Sequence, residues 1–103
     1  MDTVVLPQNT FEALTKLIVD EIKRLRKELD IVEEEIKILE SKYRISSDAF
    51  KNMIKGKIKW RLPENSELDI VEWEALLEQR RRLRKKLAEL EELWRQLQGY
   101  GKS

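Results

Sequence analysis

Three groups of side chains in this 103-residue sequence combine residue type and spacing in a way that could do chemistry. The first is Lys57, Ile58, Lys59, Trp60, Arg61 and Leu62, where cations alternate with apolar residues. In an extended backbone the alternation puts Ile58, Trp60 and Leu62 on one side and the three cations on the other. Such a segment suits recognition, with Trp60 as an aromatic anchor and basic neighbours that steer an acidic partner. Its plainer reading is a turn whose apolar side chains cover the end of a larger unit. The second group is the run from Arg80 to Lys86, RRRLRKK, the kind of block that neutralises phosphates. On a helix with Leu83 inward, Arg81, Arg82 and Lys85 face solvent and are the candidate nucleic-acid contacts. Arg84 and Lys86 flank the apolar seam, where Glu28 and Glu33 can meet them. A solvated, self-paired face is the plainer reading, and no base-reading motif accompanies the run. The third group, Glu33, Glu34 and Glu35, occupies consecutive helix positions that point in different directions, so it predicts no metal site.

The missing residue types narrow the chemistry further. There is no cysteine and no histidine, which removes thiolate nucleophiles, disulfides, zinc-finger spacings and the usual general base near neutral pH. The expectation is a non-enzymatic protein without a cofactor. Lys and Arg number 21 against 20 Asp and Glu, so the net charge of +1 gives no whole-molecule attraction to nucleic acid or anionic lipid. The charges are instead blocked: seven cations and one anion from Lys42 to Arg61, six anions and no cation from Glu64 to Glu78, then six cations from Arg80 to Lys86. No secretory signal or membrane span is expected, and absence of cysteine suits a cytoplasmic location. A charged fraction of 40%, rich in Glu, Lys and Arg, resembles thermophile composition.

The elements that must position these groups follow from periodicity. The length predicts one domain over residues 1–103, with an N-terminal arm at 1–9. Within that arm Thr3 to Leu6 is β-prone and Pro7 closes it. Asn9 and Glu12 have capping-box spacing, so the first long helix is placed at 10–43. Ile18, Ile22, Leu25, Leu29, Val32, Ile36, Leu39 and Tyr43 alternate spacings of four and three, which is a heptad seam. A second seam of Trp73, Leu76, Arg80, Leu83, Leu87, Leu90, Trp94 and Leu97 places the second long helix at 69–98, capped by Asp69, with a tail at 99–103. Folded back antiparallel, the seams match in one register: Ile36 beside Leu76, Leu29 beside Leu83, Ile22 beside Leu90 and Ile18 beside Trp94. Arg80 then sits opposite Val32, either snorkelling or awaiting a partner's carboxylate. The connector at 44–68 is too long to be bare loop. Ser46 or Ser47 can cap a short helix carrying Phe50, Met53 and Ile54 on one face, Gly56 can stop it, and Lys57 to Leu62 can form a short β-strand. The fold expected is all-α: an antiparallel helical hairpin of two long heptad helices with a short helix and a short strand at the connection. Leu17, Ile31 and Ile38 lie off the seam, so a homodimer or higher oligomer is expected.

Tyr43, Ile45, Ser46, Ser47, Phe50, Gly56 and the later Glu72 and Trp73 also form a pattern. It resembles that of small helical antitoxins of prokaryotic type II toxin–antitoxin pairs: tyrosine, glycine, methionine, two serines, phenylalanine, glycine, then an acidic stretch ending in glutamate and tryptophan. Thr3 to Pro7 and the long first helix resemble the start of such chains. The resemblance implies that the chain binds and masks a small toxin, often a ribonuclease, and that Tyr43, Ser46, Ser47, Phe50, Gly56 and Trp73 are structural landmarks. The sequence departs from the pattern in having Lys57, Lys59 and Arg61 where acidic residues are usual and Arg44 where glycine is usual. The candidate partner contacts are Trp60, Ile58, Lys57, Lys59 and Arg61 of that basic segment, together with Arg80 at its seam position. Two alternatives stand beside the antitoxin: a structural hairpin of the prefoldin type, and a basic hairpin that binds RNA.

Overall fold

A computed structural model describes residues 7–101. The β-prone run Thr3 to Leu6 and the last two residues of the tail lie outside the described residues. Three helices follow in order: α1 (Gln8–Tyr43), α2 (Ser47–Ile54) and α3 (Glu67–Gly101). α1 and α3 pack antiparallel along their length, giving an all-α hairpin with extents of 61 × 26 × 17 Å. Thirty-six residues at about 1.5 Å each account for most of the long dimension.

The seam forms as its periodicity requires. Ile18, Ile22, Leu25, Val32, Ile36 and Leu39 of α1 are buried, as are Trp73, Leu76 and Leu83 of α3. Leu29, Tyr43, Leu87 and Leu90 pack against them half-buried. Tyr43 with Asp69 at one end and Phe11 with Tyr100 at the other, ring centroids 5.9 Å apart, hold the expected register to within a residue. Between them Glu33–Arg84, at 2.8 Å, and Arg26–Glu91, at 3.2 Å, cross the groove diagonally.

Several boundaries and caps differ from expectation. α1 starts at Gln8, because Pro7 pre-sets the backbone dihedral that leads into the first turn and leaves no donor there to satisfy. The Asn9–Glu12 capping box does not form: Asn9 accepts from the adjacent Thr10 amide, and Glu12 accepts from Gln8 at 3.0 Å. α3 starts at Glu67, two residues before Asp69, whose carboxylate is drawn across the hairpin to Lys42 and Tyr43 instead of capping its own helix. At the far end α3 continues through Gly99 to Gly101, with the Phe11–Tyr100 ring contact alongside. No strand is present among the described residues, and Lys57 to Leu62 is coil. A strand needs a ladder partner, and between two helices this segment has none.

Candidate partner-binding site

The connector is built around Trp73, which is 0% exposed. Its ring stacks on Phe50 with centroids 4.2 Å apart and planes 4° from parallel, and the Tyr43 ring lies 6.1 Å away with its plane tilted by 22°. A buried indole N–H needs an acceptor. Here it donates to the Ser47 hydroxyl at 3.0 Å. Ser47 in turn donates its backbone N–H to the Glu40 carboxylate at 2.8 Å, tying the start of α2 to the last turn of α1. Ser46 caps α2, its hydroxyl accepting from the Ala49 amide at 3.1 Å. The two serines therefore divide the work: Ser46 caps the start of α2 and Ser47 satisfies the tryptophan.

Both helix ends here reverse through left-handed residues. α1 ends at Arg44, φ 56°, with the Arg44 and Ile45 amides returning to the Glu40 carbonyl. This is the position where the antitoxin pattern has glycine, and a side chain there costs about 1 kcal/mol. α2 ends in a Schellman motif: Gly56, φ +73°, donates to the Met53 carbonyl and Lys57 to the Asn52 carbonyl. Beyond it the Arg61 amide rests on the Met53 sulfur at 3.3 Å and Leu62 is buried. Asn65, φ 69°, and a Ser66 hydroxyl bond to the Pro63 carbonyl then turn the chain into α3.

Asp69 closes the junction from the other side. It accepts from Lys42 at 2.6 Å and from the Tyr43 hydroxyl. The Lys42 hydrogen bond, seconded by Tyr43, holds the Asp69 carboxyl below its ordinary value, while hydrogen bonding to Asp69 raises the Tyr43 phenol. Bonding to Asp69 also raises Lys42.

Within this fixed frame Trp60 is 48% exposed, and Ile58, Lys57, Lys59 and Arg61 are exposed beside it. Only Leu62 of the three alternating apolar residues turns inward, so the reading in which all three cover the hairpin end is corrected. Phe50 and Met53 are core, but Ile54, expected on the same face, is exposed. It lines a cleft of about 420 Å³ between α2 and α3, with Phe50 and Leu77 beneath and Lys51, Lys55 and Arg80 at the edge. Arg80 is half-buried and makes no ion pair among the described residues. Leu77, buried next to the seam, escaped the heptad reading; the doubled Leu76–Leu77 is the signal that could have found it.

Three of the six cations in the basic run are ion-paired. Arg81 and Arg82 both bind Glu78, at 2.7 and 3.2 Å, and these bonds, Arg81 first, hold its carboxyl down at about 2. Arg84 reaches Glu33 as its flanking position required, whereas Glu28 is taken by Arg24. Lys85 is exposed and without an ion pair among the described residues. No three carboxylates among the described residues are placed to share a metal ion, and no described helix is long and apolar enough to cross a membrane. No family model, curated protein or solved structure matches the chain.

Proposed function

We propose that this chain is a non-enzymatic, cytoplasmic antitoxin that binds and masks a small protein toxin, such as a ribonuclease, through the exposed connector around Trp60. The observation that carries the reading is a half-exposed tryptophan flanked by Lys57, Lys59 and Arg61 on a segment pinned at Gly56 and Leu62. An exposed aromatic on an ordered segment loses little conformational freedom on binding, and the surrounding cations favour an acidic surface. Supporting it, the residues quoted for the antitoxin resemblance, Tyr43, Ser46, Ser47, Phe50, Gly56 and Trp73, gather at one junction next to this segment. Self-association of the chain is part of the same reading.

The test is co-expression with the product of the neighbouring open reading frame. A tight complex that relieves growth arrest is expected, and Trp60→Ala should weaken it at least about tenfold while leaving the helical content unchanged. Failure to form a complex, or a complex indifferent to Trp60→Ala and to Lys57→Glu with Lys59→Glu, would sink the reading.

A further inference from the structure

Among the seam positions of α3, from Trp73 to Leu97, Arg80 alone carries a charge. It is half-buried and has no ion pair among the described residues. The sequence accounts for this. Its helical neighbours at three and four positions are Leu76, Leu77, Leu83 and Arg84, so α3 gives it no carboxylate at the spacings that pair on a helix. Its place across the hairpin is beside the buried Val32, and the adjacent Glu33 is already bonded to Arg84. A half-buried guanidinium without a counter-charge has lost part of its hydration and gained no ion partner in exchange.

Arg80 opens onto the cleft between α2 and α3. On the α3 wall Leu77, Arg80, Arg81 and Arg84 share one face at three- and four-residue spacings, and on the α2 wall Lys51 and Lys55 follow Phe50 and Ile54 in the same way. Phe50 and Leu77 are buried beneath, and Ile54 is 39% exposed. Two carboxylates also line the cleft. Glu78 is occupied by Arg81 and Arg82, while Glu74 has no ion pair among the described residues. With the pairs already made set aside, Lys51, Lys55 and Arg80 face Glu74 alone, which leaves an excess of positive charge over an apolar floor. We infer that this cleft takes an acidic amphipathic helix of the partner toxin, its apolar side chains on Phe50, Ile54 and Leu77 and its carboxylates on Arg80, Lys51 and Lys55. The inference rests on the proposed function and adds a contact separate from the Trp60 segment, none of whose residues line the cleft. At about 420 Å³ the cleft matches sites that enclose a small group, roughly 300 to 1,000 Å³. It can hold the apolar anchors of a short helix lying across its mouth. A nucleic-acid backbone would use the cations and leave the apolar floor empty.

Titration calorimetry of the full chain with the product of the neighbouring open reading frame tests it. Arg80→Leu is the decisive variant, because leucine suits a seam position beside Val32. The free chain should melt no lower than the wild type, yet Kd should rise about tenfold or more. An Arg80 that only covers the seam predicts an unchanged Kd. Ile54→Asp, and separately Lys51→Glu with Lys55→Glu, change exposed residues, and each should raise Kd about tenfold with helical content unchanged. A photo-crosslinker in place of Ile54 should attach to a helical segment of the product rich in Asp and Glu. A complex weakened by Trp60→Ala but indifferent to all three cleft variants overturns the cleft alone and leaves the proposed function standing. Absence of any complex overturns both. Crosslinking to a second copy of this chain, or to a basic segment of the product, overturns the acidic helix as occupant. So does a labelled poly(U) RNA whose binding, and not that of the protein product, the cleft variants abolish.

Discussion

Two tryptophans occupy seam positions of α3, and they show how differently the two ends of the hairpin are built. Trp73 at the connected end is wholly enclosed, stacked on Phe50 and bonded to Ser47. Trp94 near the open end is half-buried, and its indole nitrogen is enclosed without a hydrogen-bond partner among the described residues, as is the Thr15 hydroxyl. Both come from the same heptad repeat. The difference is a third layer: α2 lies over Trp73, and among the described residues only α1 and α3 are present at the Trp94 level. Two helices can bury a stripe, but three elements are needed to enclose an indole and supply its acceptor. The connected end is therefore where stability is concentrated, and it is also what holds the exposed Trp60 segment in place.

The comparison breaks most directly if the tryptophans are exchanged for alanine. Trp73→Ala should cost about 3 to 5 kcal/mol in urea denaturation, while Trp94→Ala should cost less than about 2. Equal losses would mean that α2 adds nothing. Ser47→Ala comes next, leaving the Trp73 N–H buried and unsatisfied at about 1 to 3 kcal/mol. A Ser46→Ala variant, which removes only the cap, should lose about 1 kcal/mol. Arg44→Gly should act in the other direction, stabilising the chain by roughly 0.5 to 1 kcal/mol because glycine enters the left-handed conformation without steric cost. Destabilisation by that variant would show that the Arg44 side chain contributes more than its strained backbone costs.

The pH dependence sharpens the contrast with a smaller effect, read from the shape of a stability profile. Asp69 has a folded-state pKa below its ordinary 3.8, so its contribution is present above that value and is lost as pH falls through the lowered one. Tyr43 is raised above its ordinary 10.0 and Lys42 above 10.5, so theirs is present below those values and lost as pH rises through the raised ones. Asp69→Asn should flatten both the acid limb and the alkaline limb, and an unchanged profile would remove the Lys42–Asp69–Tyr43 cluster from the account. The smallest effect is expected for Trp94→Phe, which deletes an N–H that has no partner among the described residues and should change stability by less than about 0.5 kcal/mol. A loss as large as that of Ser47→Ala would show that the Trp94 nitrogen has an acceptor after all.

Much of the frame was legible in the residues. The spacings of Ile18 to Tyr43 and Trp73 to Leu97 specify two long amphipathic helices and, through their matched seams, an antiparallel register; Ser46 and Gly56 mark a short helix between them. What misled was local chemistry that tertiary partners redirected. Asp69 has the type and place of a cap, yet Lys42 and Tyr43 are nearer claimants for its carboxylate. Ile58, Trp60 and Leu62 alternate as a strand does, but alternation describes which side a residue faces only when a neighbouring strand fixes the pleat.

By itself, then, the sequence determined the all-α hairpin, its register, the caps of α2 and the lack of thiol or imidazole chemistry, because these depend on periodicity, on side chains bonding to nearby backbone, and on composition. Only the tertiary structure decided that Ser47 serves Trp73, that Ile54 and Leu77 line a cleft beside Arg80, and that Trp60 stays half in water. Each of those depends on where α2 comes to rest against α3, and that is set by enclosing one indole between residues that lie 26 positions apart in the chain.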